Sequence, residues 1–119
     1  MKAILIDSYN RVVEEVSLDP DQNMLHQWYD HIKCDMAQVG HYITEHDSII
    51  VDEEGLLKPC DHFFTYDGAH QPFAGNGLVV GVDEDGETVA CDITLDEVKS
   101  KVRFHNTVEV LDLIKHLYS

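Results

Sequence analysis

The stretch Leu78-Val-Val-Gly-Val-Asp-Glu-Asp-Gly-Glu-Thr-Val-Ala-Cys-Asp-Ile93 sets the architecture of this 119-residue chain. Two runs rich in β-branched residues flank Asp85-Gly86, a pair suited to the two-residue type I′ hairpin turn, where both central positions need φ > 0. Such a turn pairs residue 84 with 87, 82 with 89, 80 with 91 and 78 with 93. The register puts Leu78, Val80, Val82, Val89, Cys91 and Ile93 on one face, an agreement that a slip of one residue would break. It also gathers Asp83, Glu84, Asp85 and Glu87 at an exposed tip. Directly after the hairpin, Thr94 and Glu97 form a capping box that opens a short helix, Leu95 to Lys101.

Upstream, residues 2–7 read as a buried strand and Ser8 to Arg11 as a turn, with Asn10 suited to a left-handed backbone. Residues 12–18 return as a strand with Val12, Val16 and Leu18 on one face. Asp19 as N-cap, Pro20 at the first helical position and Gln22 in a capping box predict a helix of about four turns. Its apolar stripe is Leu25, Trp28, Tyr29 and Ile32, with Met24 beside it, a pattern that lies on a sheet. Residues 36–43 and 48–52 are two further strands, ended by Glu53, Glu54 and Gly55. Residues 60–77 read as a long irregular loop that holds Phe63, Phe64, Tyr66 and Phe73, either capping a core edge or forming a contact patch.

Downstream, residues 102–104 form a last short strand. Asn106 with Glu109 caps a C-terminal helix with the stripe Val110, Leu111, Ile114, Leu117 and Tyr118. The expected fold is α+β: a small, largely antiparallel sheet of two or three hairpins, one long amphipathic helix and one or two C-terminal helices. Residues 1–105 make a single domain. Residues 106–119 make a helix that packs on that domain or, as a homodimer, on a second copy.

The chain carries 8 Lys and Arg against 23 Asp and Glu, a net charge of −15. Residues 1–33 hold a net of −3, residues 99–119 a net of +2, and residues 34–98 hold fifteen acids against Lys58 alone. This balance speaks against binding nucleic acid directly, since neutralising phosphates takes Lys and Arg. It also disfavours an anionic membrane surface. With 44% hydrophobic residues the chain is too apolar for a disordered acidic tail. There is no signal-peptide pattern and no apolar run near the ~20 residues of a membrane span. Cys34, Cys60 and Cys91 are odd in number and lack Cys-x-x-Cys spacing, which suits a reducing, cytoplasmic setting.

Catalytic motifs are missing. Among the eight histidines, His41, His46, His62 and His70 with Cys60 are candidate metal ligands, yet no spacing matches a known zinc motif, so neither metal nor cofactor is expected. A Cys60–His62 nucleophile pair has no identifiable oxyanion site. Asp83 to Glu87 has its glycine too early for an EF-hand and strands rather than helices around it.

Several blocks together resemble a family of small proteins of unknown function, common in bacteriophage genomes and mobile elements. They are Lys2 to Asp7, the helix running into Gln38-Val-Gly-His-Tyr-Ile43, Ile50-Val-Asp-Glu-Glu-Gly-Leu-Leu57, Leu78-Val-Val-Gly81, the acidic tip, and Asp92 to Val98. The likeness spans roughly residues 1–104. It implies a small α+β sheet and lends no catalytic residues. It also implies a phage or mobile-element origin, where small acidic proteins often inhibit host proteins.

The leading expectation is therefore a non-enzymatic inhibitor whose acids Glu53, Glu54, Asp83, Glu84, Asp85 and Glu87 occupy a basic, nucleic-acid-binding surface of a host or defence protein. A second is a nucleotide-signal sponge, in which Phe63, Phe64, Tyr66 and Phe73 stack a base and Arg103, Lys58 or Lys101 meets phosphate. A third is a metal-dependent hydrolase built on His41, His46, Cys60 and His62.

Overall fold

A computed structural model describes the backbone of residues 1–118 and the side chains through His116. The fold is α+β, with two antiparallel sheets and three helices. The larger, six-stranded sheet has the order β2(Val12–Ser17), β1(Lys2–Asp7), β7(Gly77–Val82), β4(Asp47–Asp52), β3(Ala37–Tyr42), and β8(Thr88–Val89) also pairs with β7. The smaller sheet has the order β6(Phe73–Ala74), β5(Phe63–Tyr66), β9(Val102–His105). The expected loop at 60–77 therefore contains β5 and β6. Phe63, Phe64 and Tyr66 are strand-formers paired with β9, far downstream, which no local pattern reveals, and Phe73 pairs back with Phe64.

The central strands are buried on both faces, so alternate residues serve two cores. Ala3, Leu5, Ile50, Leu78 and Val80 face α1(Met24–Ile32), meeting Met24, Trp28, Tyr29 and Ile32. Ile4, Ile6, Ile49, Val51 and Val79 face the smaller sheet, meeting Phe64, Tyr66, Phe73 and Val98 of α2(Leu95–Lys101). The outer face of the smaller sheet is covered by α3(Thr107–Tyr118), where Val110 and Ile114 pack on Phe63, Ala74 and Cys60. The layers run α1, large sheet, small sheet with α2, then α3.

Local expectations fared unevenly. The capping box at Thr94 forms, with Thr94 Oγ1 accepting from Glu97 N at 3.2 Å. The Asn106–Glu109 pair is reciprocal, at 2.9 and 3.1 Å. By contrast α1 starts at Met24 with Asn23 as its cap, which accepts from His26 N. Asp19 instead closes a preceding turn, accepting Asp21 N at 2.9 Å while Gln27 clamps its backbone. Leu25 is exposed, so the stripe is Met24, Trp28, Tyr29 and Ile32. In the first turn the positive φ belongs to Arg11 and not Asn10, because Asn10 is tied to the Asp7 carboxylate through its side chain. Val12 is exposed as well; Val13 takes the buried place against Ile6. On α3, Leu111 is exposed, while the side chains of Leu117 and Tyr118 lie outside the described residues.

The decisive correction concerns the hairpin. Val82 pairs with Thr88 and Gly81 with Val89, one residue away from the expected register. Asp83 N donates to Glu87 O, Gly86 N donates to Asp83 O, and only Gly86 has φ > 0. This is a type I turn followed by a left-handed glycine, the three-residue form of the loop. Asp83 selects it: its Oδ1 accepts the N–H groups of both Asp85 and Glu87 at 2.9 Å. The slip puts Leu78 and Val80 on the α1 side, and Cys91 and Ile93 on the opposite side. Pairing stops at Val89 because β1 takes the rest of that edge, with Ile4 opposite Val79 and Ile6 opposite Gly77.

Candidate functional site

Strand order brings turns from distant parts of the chain to one end of the large sheet. Asp47 sits opposite Gly81, so the β3–β4 turn and the β7–β8 turn share that end. Val82 N donates to His46 O there, and His46 Nε2 lies 3.1 Å from Ala90 O and 3.6 Å from Asp92. Asp83, Glu84, Asp85 and Glu87 are therefore joined by Glu45 and Asp92, all exposed. Glu45 and Asp92 were missed in the sequence, because only pairing of β4 with β7 makes them neighbours of the tip.

Glu53 and Glu54 are not part of this group. They follow β4 at its far end, so five residues of strand, about 17 Å, separate them from the turn at Asp47. Nearby, Lys58 bonds Asp52 at 2.9 Å. The six acids expected to act together thus occupy two ends of one sheet.

Several acids are spent on structure. Asp47 is 2% exposed, and its two oxygens accept the N–H groups of Asp92 at 3.0 Å and Ile93 at 2.8 Å. Asp61 accepts Thr107 Oγ1 at 2.6 Å and Thr107 N at 2.9 Å, clamping the first turn of α3. Those two bonds hold the Asp61 carboxyl below the usual carboxylate range.

The aromatic ligand set dissolves. Phe63, Phe64, Tyr66 and Phe73 are 9%, 0%, 3% and 4% exposed, so none presents a face to a base. Phe64 and Phe73 stack on one another in the inter-sheet core, with centroids 5.2 Å apart. Burial, with Glu97, Asp47 and Asp67 nearby, pushes the Tyr66 phenol up to about 12. Arg103, by contrast, is exposed on the outer face of the small sheet. It lines a cleft of about 560 Å³ between that face, α3 and the turn at 67–72, together with Lys101, His70, His105 and His116.

The proposed metal ligands are likewise scattered. His41 lies against the Tyr66 ring, His46 against the Ala90 carbonyl, and His62 against the Tyr9 ring. Among the described residues no three His, Cys, Asp or Glu side chains converge as a metal site. The Cys60 thiol donates to the His62 carbonyl at 3.1 Å. Cys34 and Cys91 are buried, which pushes both thiols up. No described helix is long and apolar enough to cross a membrane.

A family model described as a domain of unknown function (DUF3846) matches residues 1–104, ending just before α3. No curated protein and no solved structure matches the chain.

Proposed function

The chain belongs to this family of domains of unknown function, DUF3846, and we propose that it is a non-enzymatic binding protein whose acidic sheet end engages a basic partner. The observation behind this reading is the pairing of β4 with β7, which adds Glu45 and Asp92 to the exposed acids of the 83–87 turn. Fixed geometry favours recognition, since the turn is held by two bonds to Asp83 Oδ1 and loses little entropy on docking. A negative surface of this kind speeds encounter with a cationic partner and does so less at high salt. The partner that fits is a protein with a nucleic-acid-binding face. A phage-encoded inhibitor of a host or defence protein, acting in the host cytoplasm, would work in this way.

The test is capture from host lysate by immobilised chain, compared with D83N/E84Q/D85N/E87Q. Asparagine at 83 retains an acceptor for the turn, so charge changes while the hairpin stays. A nucleic-acid-binding protein should be retained at low salt, released at high salt or by added DNA, and lost with the neutralised tip. Retention that ignores both salt and the four substitutions would sink the proposal.

A further inference from the structure

We propose that the cleft on the outer face of the small sheet is a binding site for a small organic phosphate. The site is distinct from the acidic end and does not depend on it.

Strand alternation makes the cleft. Phe63, Phe64, Thr65 and Tyr66 alternate outward and inward; Phe64 and Tyr66 enter the inter-sheet core, while Phe63 meets α3. Opposite them Val102 and Phe104 pack inward. Arg103, paired with Thr65, and His105, paired with Phe63, therefore face outward. Thr65 and His105 are bonded to each other at 2.9 Å, which fixes the floor. Lys101, at the end of α2, is held beside the floor where its carbonyl accepts Asp67 N at 3.0 Å.

Charge identifies the ligand. The chain has 23 carboxylates for eight Lys and Arg, so carboxylate partners are abundant. Among the described residues only Arg11 and Lys58 have a salt-bridge partner; Lys101 and Arg103 are two of the six cations without one, and of those six they alone line the cleft. Asp67 is, among the described residues, the single carboxylate lining the cleft, against Lys101, Arg103 and three histidines. A guanidinium fork beside an ammonium matches the oxygens of a phosphate monoester. Leu113, Pro72 and Ala69 supply apolar wall for an organic body, and about 560 Å³ is the size of a small-molecule site. A long polyanion would be repelled by the −15 carried elsewhere, which a single phosphate group escapes more readily.

The experiment is an amide NMR titration of the full chain with adenosine monophosphate, inorganic phosphate and adenosine. Adenosine monophosphate should give saturable shifts at residues 65–71, 100–105 and 113–116, and none at 83–87. Arg103→Gln should weaken it about tenfold or more, the loss of one charge-assisted contact, with Lys101→Gln acting in the same direction. Lys99→Gln, outside the cleft, should change nothing. Both main variants alter exposed side chains, and an undisturbed spectrum elsewhere verifies their fold. Shifts that do not saturate or spread over the whole surface overturn the proposal. So does adenosine binding as well as its phosphate, inorganic phosphate binding alone, or an Arg103→Gln response equal to the native one.

Discussion

Single residues in this protein carry more than their type suggests, and Gly77 is the clearest case. A Cβ at this position would come within 2.6 Å of Phe64 Cζ and 3.2 Å of Ile49 Cγ2. Both neighbours are fully buried, so neither ring nor methyl has room to retreat. Gly77→Ala is expected to cost about 1–3 kcal/mol by overpacking, measured by urea unfolding. Asn76 beside it, 1% exposed, accepts Ser8 N and donates to His31 O, joining the first turn to the end of α1. At Asp61 the effect is one of charge. Its carboxyl is held below the usual range by Thr107, so the folded state binds that proton less readily than the unfolded chain does. The stabilisation is fully present above about pH 3.8 and fades as pH falls through the lower folded value. Asp61→Ala should therefore speed hydrogen exchange in the first turn of α3 at neutral pH, and the gap from native protein should narrow in acid. A gap independent of pH would show that Thr107 is held some other way. These acids looked alike in the sequence, where nothing separates Asp61 from Asp67.

Among the elements, the hairpin is where local reading and tertiary outcome diverge. Asp85-Gly86 suits a two-residue turn, but Asp83 bonding to two N–H groups favours the longer one, with Gly86 at φ 81°. Gly86→Ala has open space around its Cβ, so its penalty is purely the left-handed backbone, about 1–2 kcal/mol. Thermal unfolding of that variant checks it, and an unchanged midpoint would refute the assigned turn. Helices with strong caps were legible: Thr94 and Asn106 each engage the residue three positions on. The start of α1 was not, because Asp19 and Asn23 both cap well and Gln27 binds Asp19 into a separate turn. β5 and β6 could not be found locally either, since β5 is completed by β9 far along the chain and β6 is only a two-residue edge on β5.

For the molecule as a whole, the sign of the charge persists while its distribution changes meaning. Asp47, Asp61 and Asp83 accept backbone hydrogen bonds, so part of the acidic middle serves folding. The exposed acids of the 83–87 turn and the exposed Glu53 stand at opposite ends of the large sheet, with the half-buried Glu54 beside Glu53. A net of −15 on one small fold still implies self-repulsion. Raising sodium chloride from about 0.01 to 0.15 M shortens the screening length from about 30 to 8 Å and should raise the unfolding midpoint. A midpoint that falls over this range would mean that attractive pairs outweigh the repulsion. Neutralising the four tip acids should reduce that salt dependence.

By itself the sequence determined the α+β class, the first hairpin, the apolar stripe of the first helix apart from Leu25, the two later caps and the acidic middle. These follow from short-range periodicity and capping, which act over a few residues. Only the tertiary structure decided the hairpin register, the burial of Phe63, Phe64, Tyr66 and Phe73, and the separation of Glu53 and Glu54 from the tip. It alone assembled Lys101, Arg103 and His105 around one cleft. Those outcomes depend on which strand occupies which edge. β1 displaces the expected continuation of β8, and β9 recruits β5, through pairings that span many tens of residues. Local pattern carries no information at that range, because a strand's two faces are assigned only when its neighbours arrive.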